Sequence, residues 1–94
     1  MRLIVRTGAE ADLASARDWY EQRRVGLGHE FLDEVARTLL ELATAPQRQP
    51  LYYRNFRRVL LRRFPYKVFY QVIGPDIVIF RVLHAKQCHG IELR

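Results

Sequence analysis

Residues 66–83 read YKVFYQVIGPDIVIFRVL and hold two runs rich in valine, isoleucine, tyrosine and phenylalanine, at residues 66–73 and 77–83. Gly74, Pro75 and Asp76 stand between the runs, and these residue types favour tight turns. A connection this short joins antiparallel strands, because parallel strands need a long crossover. The stretch therefore predicts a β-hairpin, with each run as one strand.

The apolar residues of this hairpin recur with a period of two, whereas those earlier in the chain recur with the helical period of 3.6. One apolar stripe predicts a helix over residues 9–24, and a broader one predicts a helix over residues 29–43. Gly26 and Gly28 separate the two helices, and Pro46 follows the second. Helices joined by so short a turn are expected to pack as an antiparallel hairpin.

Two shorter runs complete the predicted sheet, at residues 3–5 and 57–61. Thr7 and Glu10 have the spacing of a capping box at the start of the first helix. The predicted order is β-α-α-β-β-β. We therefore expect residues 1–94 to form a single α+β domain, with the helical hairpin packed on one face of a small, mainly antiparallel sheet.

Composition excludes several classes of protein. The chain has 94 residues, 49% hydrophobic and 28% charged, which is typical of a globular domain. No apolar run is long enough to span a membrane, and the N-terminus does not resemble a signal peptide. The single cysteine, Cys88, cannot form an internal disulfide. These features predict a cytoplasmic protein without membrane partners.

Positive charge is concentrated in the second half of the chain. Residues 1–45 hold six arginines and eight acids, a net charge of −2, whereas residues 46–94 hold ten basic residues and two acids, a net charge of +8. Fourteen of the sixteen cations are arginine, which suits bidentate contacts with phosphate or carboxylate. The second half therefore favours an anionic partner, although the charge could equally serve only solubility.

Alternation along the strands predicts which side chains share a face. The sets Tyr66/Val68/Tyr70/Val72 and Val78/Phe80/Val82 are the more apolar and are expected to face the helices. Lys67, Gln71 and Arg81 would then meet on the opposite, open face. The arginines of the neighbouring strand and its turn would edge that face; the predicted binding residues are Arg57, Arg58, Arg62, Arg63, Lys67, Gln71, Arg81 and Lys86.

The C-terminal stretch, residues 84–90, contains the most reactive side chains. His84, Cys88 and His89 could supply three zinc ligands, but their spacing does not follow a pair-plus-pair framework, so no metal is predicted. Cys88 and His89 point apart on an extended chain and do not form a nucleophile pair. A histidine could act as a general base at neutral pH, or His84 could simply end the last strand in local hydrogen bonds.

Four segments, taken in order, resemble the RelE/ParE family, the toxins of type II toxin–antitoxin modules. They are AEADL at residues 9–13, the second helix with its proline stop at 31–46, RFPYKVFY at 63–70 and IVIFRVLH at 77–84. The resemblance covers nearly the whole chain. It implies a toxin that a cognate antitoxin neutralises, with no cofactor.

The family resemblance implies two activities on one fold. ParE-like toxins trap DNA gyrase in a cleavage complex and are not enzymes of RNA hydrolysis, whereas RelE-like toxins are endoribonucleases that cut mRNA in the ribosome. The helical hairpin with its acidic opening resembles the ParE branch more closely. We therefore expect a gyrase poison; the alternatives are a RelE-like nuclease and a degenerate toxin that only binds antitoxin.

Carried over by position, Lys67 falls where the nuclease branch has a strand arginine, and Arg58 or Arg62 could stand for its other strand cations. Gln87 replaces the next basic position of the tail, and no tyrosine follows Tyr70. Both departures weigh against the nuclease activity. If the chain is a nuclease, the resemblance and the chemistry point to four candidate catalytic residues: Lys67, Arg81, His84 and His89.

Overall fold

The computed structural model describes residues 2–86 and has the predicted α+β arrangement. Two helices follow the first strand, and four strands follow the helices. The elements are β1 (Leu3–Val5), α1 (Thr7–Arg23), α2 (Leu27–Thr44), β2 (Leu51–Tyr53), β3 (Phe56–Leu60), β4 (Tyr66–Ile73) and β5 (Asp76–His84). The predicted β-α-α-β-β-β order is confirmed, with β2 as an additional short strand in front of β3.

All five strands form one mixed sheet in the order β1-β5-β4-β3-β2. β1 lies parallel to β5, and the other pairs are antiparallel. β2 is only three residues long and follows Pro50, so its pattern was too short to separate from the loop. Pairing with β3 places β2 at one edge of the sheet.

The start of α1 differs from the prediction. The backbone N–H of Arg6 still donates to Ile79 on the neighbouring strand, at 3.0 Å, while the Arg6 carbonyl already accepts from Glu10. The chain thus passes from strand to helix at Arg6, and Thr7 lies inside the first turn. The predicted capping box is wrong, because Arg6 occupies the N-cap position and no side chain caps the helix.

The turn between the helices uses a carboxylate from α1. Glu21 accepts hydrogen bonds from the backbone N–H groups of Gly26 and Gly28, at 2.8 and 3.0 Å. These amides open α2, which therefore begins two residues before the predicted start at His29. A Cβ on Gly28 would lie 2.6 Å from the Arg17 carbonyl oxygen. The helices can approach this closely because residue 28 has no side chain.

The main core lies between the helical hairpin and one face of the sheet. α1 contributes Ala9, Ala16 and Tyr20, and α2 contributes a longer apolar stripe that includes Phe31 and Val35. The helix-facing residues predicted for β4 are confirmed. Val68 and Tyr70 are buried in this core, with Tyr66 and Val72 packed against it.

The faces of β5 differ from the prediction because the strand contains a β-bulge. Tyr70 pairs with Ile79, but Phe69 pairs with Arg81, so Phe80 is an extra residue opposite β4. The bulge changes the alternation part-way along the strand. Before it, Ile77 and Ile79 line the core, and Phe80 packs on the other side of the sheet, contrary to the prediction. Beyond it, Val82 lines the core as predicted.

Candidate functional site

The side of the sheet away from the helices carries a small aromatic cluster surrounded by cations; we call it the open face. Phe56, Phe69 and Leu83 are buried in this cluster, and Tyr53 and Phe80 pack against it. Cross-strand pairing places cations beside it, with Arg58 opposite Phe69 and Lys67 opposite Leu60. The alternation predicted for Lys67, Phe69 and Gln71 is thus observed.

Arg58 and Lys67 line one shallow depression on the open face, with a volume of about 230 Å³. Gln49, Pro50 and Leu60 complete its lining. The Arg58 guanidinium carbon lies 3.9 Å from the centre of the Tyr52 ring, which is a cation–π contact. The depression therefore offers two cations side by side, one of them held over an aromatic ring.

Four cations at the open face or its rim have no carboxylate within ion-pair distance among residues 2–86: Arg6, Arg54, Arg58 and Lys67. The three arginines instead lie over aromatic rings, those of Phe80, Tyr53 and Tyr52. Six arginines elsewhere are held in ion pairs with carboxylates: Arg2, Arg17, Arg24, Arg62, Arg63 and Arg81. Elsewhere, the cations without a carboxylate partner in the described part of the chain are Arg23, Arg37, Arg48, Arg57 and Lys86. The open face differs in bringing four such cations around one aromatic cluster.

Several predicted binding residues lie away from the open face. Arg57 donates to the backbone carbonyls of Gln47 and Gln49 and so anchors the loop after α2. Arg62 lies 3.5 Å from Glu41, and Arg63 lies 3.0 Å from Glu30, so both guanidinium groups rest against α2. Lys86 is exposed at the end of the described chain. The predicted single basic surface is therefore divided.

Arg81 also leaves the predicted position. Its guanidinium turns to α1 and binds the Asp12 carboxylate through two hydrogen bonds, of 2.7 and 2.9 Å. The Phe80 bulge shifts the strand at this point, and β1 has already ended, so the edge of β5 is accessible to α1. Among the three residues expected to meet on the open face, Lys67 and Gln71 are there and Arg81 is not.

A second concave surface, which we call the helix–sheet groove, lies between α1 and the ends of β4 and β5. Its volume is about 630 Å³. Trp19 lines it and is half exposed, with the Arg23 guanidinium 4.1 Å above its indole ring. The other lining residues are Asp12, Ser15, Ala16, Tyr20, Pro65, Tyr66, Val82 and His84.

His84 lies on the groove side of the sheet and not on the open face. It pairs with Tyr66 across the strands, and the two rings are 5.3 Å apart. Its Nδ1 accepts a hydrogen bond from the Lys86 backbone N–H at 3.1 Å. Burial raises the pKa of the Tyr66 and Tyr20 hydroxyls, so both phenols stay protonated at neutral pH. The local hydrogen bond predicted for His84 is present.

Gln87, Cys88 and His89 lie outside the described residues. Within residues 2–86, no group of three metal-ligating side chains is found. A search of the same part of the chain finds no helix that could cross a membrane.

Trp19, Tyr52 and Arg6 are surface features that sequence patterns did not single out. Trp19 adjoins the apolar stripe of α1 but projects beyond it, so periodicity alone could not say whether it is buried. Tyr52 lies in β2, a strand that the sequence pattern does not predict. Arg6 follows β1. Its guanidinium lies over the Phe80 ring, and Phe80 is on this side of the sheet because of the bulge in β5.

Sequence and fold together define a toxin of a type II toxin–antitoxin system. Residues 3–88 match the family described as ParE toxin of type II toxin-antitoxin system, parDE, and the chain belongs to this ParE toxin family. A solved structure of the chromosomal ParDE toxin–antitoxin system from P. aeruginosa has the same fold, with a TM-score of 0.82 at 21% identity. The alignment covers 92% of this chain and 97% of that chain. A search of curated protein sequences finds no match.

Proposed function

We propose that this toxin inhibits growth by holding DNA gyrase in its DNA-cleaved state and does not cleave RNA. Membership of the ParE family supports the gyrase target. The separation of Lys67 from His84 is the observation that favours a gyrase poison over a nuclease. Lys67 is on the open face, whereas His84 pairs with Tyr66 on the helix side of the same two strands.

RNA cleavage by attack of a 2′-hydroxyl needs a base, an acid and cations around one phosphate. In the described part of the chain these groups do not converge. Arg81 is held by Asp12, so part of its charge is already neutralised. His84 lies on the opposite side of the sheet from Lys67, and its Nδ1 is engaged by the Lys86 amide. This arrangement suits a binding protein better than a nuclease.

The cognate antitoxin is the partner implied by the family, and we propose that it covers the helix–sheet groove. Its aromatic lining and the half-exposed Trp19 suit the apolar side of an amphipathic segment. The antitoxin would then keep water from an apolar surface that the free toxin exposes. Such segments commonly order on binding.

The experiment is induction of the toxin in bacteria with two readouts, gyrase-linked DNA breaks and mapped mRNA cut sites. The variants are the double substitution His84→Gln with His89→Gln, and His29→Gln as the matched control. His29 lies on the exposed side of α2 beside Asp33.

A gyrase poison should cause DNA breaks in the parent and in both variants, and its toxicity should vanish in a host with resistant gyrase. A nuclease should cut mRNA, and the double variant should lower its rate by about 10²–10⁴-fold, since general acid–base catalysis contributes that much. Ribosome-dependent cuts that disappear in the double variant, without gyrase-linked breaks, would refute the proposal. A toxin that binds antitoxin but causes neither effect would be degenerate.

A further inference from the structure

We propose that the open face binds single-stranded DNA, with phosphates on Arg58 and Lys67 and bases against the exposed aromatic and apolar side chains beside them. The choice of DNA as the nucleic acid rests on the proposed action on gyrase.

Charge compensation differs between the open face and several other parts of the surface. Six arginines away from the open face are bound to carboxylates, for example Arg63 to Glu30 and Arg2 to Asp76. The open-face cations Arg58 and Lys67 have no such partner within residues 2–86. Uncompensated cations in one area attract a polyanion and raise its rate of association.

Two guanidinium groups at the open face lie over aromatic rings. Arg58 lies 3.9 Å from the Tyr52 ring centre, and Arg6 lies 4.6 Å from that of Phe80. A guanidinium over a ring can still donate its N–H groups to phosphate oxygens, and an arginine beside an aromatic ring can also contact a base. Holding it there in the free protein lowers the entropy lost on binding.

The open face also combines charge with exposed apolar surface. Leu60 and Tyr52 are 58% and 43% exposed, next to the depression that Arg58 and Lys67 line. An exposed ring and an exposed leucine beside two cations are suited to splayed bases, which stack on aromatic rings without sequence preference. An acidic peptide could use the cations, but it would gain nothing from the planar surfaces of the stacked rings.

The test is fluorescence anisotropy with the purified toxin and a labelled deoxyuridine oligomer of about 12 nucleotides, within the usual site size for such surfaces. The variant is Arg58→Gln with Lys67→Gln. Its matched control is Arg17→Gln with Arg62→Gln, which removes the same charge from arginines paired with carboxylates away from the open face. Thermal melts of all three proteins check that they fold alike.

The parent should bind with an affinity that falls with salt. The slope should be about −3 on logarithmic axes when Arg6 and Arg54 at the rim each contact a phosphate in addition to Arg58 and Lys67, since each contact contributes about 0.7. Arg58→Gln with Lys67→Gln should weaken binding at least about ten-fold and reduce the slope by about 1.4. The control should stay close to the parent. Tyr52→Leu should lower affinity about ten-fold without changing the slope, because stacking is lost and charge is kept.

Several results would overturn the inference. The first is that the parent does not bind the oligomer, and the second is that the control variant loses as much affinity as Arg58→Gln with Lys67→Gln. The others are that an oligoglutamate of the same charge competes as well as the oligomer does, or that duplex DNA binds more tightly. Tighter binding of the matching uridine RNA would reject DNA and point to an RNA partner. Gyrase is absent from this assay, so the result does not depend on whether gyrase is the toxin's target.

Discussion

Asp12 on α1 and Arg81 on β5 form a two-point ion pair, with Nε–Oδ2 and Nη2–Oδ1 distances of 2.7 and 2.9 Å. The same carboxylate accepts the Val82 backbone N–H at 2.9 Å. It thereby occupies the edge of β5 just beyond the end of β1. Side-chain exposures of 14% for Asp12 and 30% for Arg81 leave the pair partly shielded from water.

Asp12→Ala should lower the free energy of unfolding by about 2–4 kcal/mol, because it removes the partner of a partly buried cation and leaves the Val82 N–H without its acceptor. Arg81→Gln should cost about 1–2 kcal/mol, since Asp12 can still accept from Val82. Urea unfolding measures both. Asp18→Ala is the control, because its pair with Arg17 is exposed and should contribute less than about 0.5 kcal/mol. Equal effects of the Asp12 and Asp18 substitutions would contradict the assigned role.

Glu34 is a carboxylate buried in α2 that holds the turn between β3 and β4. Its Oε2 accepts the backbone N–H groups of Arg62 and Arg63, at 2.7 and 2.9 Å, and only 6% of the residue is exposed. Glu34→Ala should cost about 2–4 kcal/mol, because two amides lose their acceptor. Glu34→Gln should cost less, since its amide oxygen can still accept. Chemical denaturation measures both, with the exposed Glu41→Ala as control. A Glu34→Ala protein as stable as that control would show that the turn does not need this carboxylate.

The strands and helices were predictable because their patterns repeat, whereas the positions of single side chains depended on local irregularities. Alternation along β4 placed Lys67 and Gln71 correctly. It failed over residues 77–81 of β5 but not at Val82, because the one-residue bulge at Phe80 exchanges the faces part-way along the strand and leaves no mark in the hydrophobic pattern. Arg81 was therefore assigned to the open face, while its partner Asp12 lies 69 positions away in the sequence.

Glu30 should make the protein less stable in acid. Hydrogen bonds from Arg63 and then Arg24 lower the pKa of its carboxyl below the ordinary 4.5, despite a small opposing effect of desolvation. A carboxyl with a lowered folded-state pKa stabilises the fold when ionised. That contribution is complete above the ordinary value and is lost as pH falls through the lowered one.

The melting temperature of the parent should therefore exceed that of Glu30→Gln above about pH 5, and the difference should shrink as pH approaches about 3. Arg63→Gln removes the main hydrogen-bond partner of the carboxylate. The melting temperature of this variant should therefore fall less steeply with decreasing pH than that of the parent, as should that of Glu30→Gln. Melting curves across this pH range provide the measurement. A constant difference between parent and Glu30→Gln at every pH would show that the ionised carboxylate is not what stabilises this contact.

Trp19 should dominate the affinity for the antitoxin if the helix–sheet groove is its docking surface. The indole is half exposed in the free toxin, packs edge-on against Tyr20 and carries Arg23 on its face. Tryptophans at the centre of an interface often contribute about 2 kcal/mol or more, so Trp19→Ala should weaken binding about thirty-fold. Calorimetry with the antitoxin encoded beside the toxin measures this difference in affinity.

A negative heat-capacity change should accompany binding, as expected for a segment that folds while burying about 1,000–3,000 Å². Leu40→Ala is the control, because Leu40 is 71% exposed on α2 and does not line the groove. Equal affinities of the two variants would place the antitoxin on another surface.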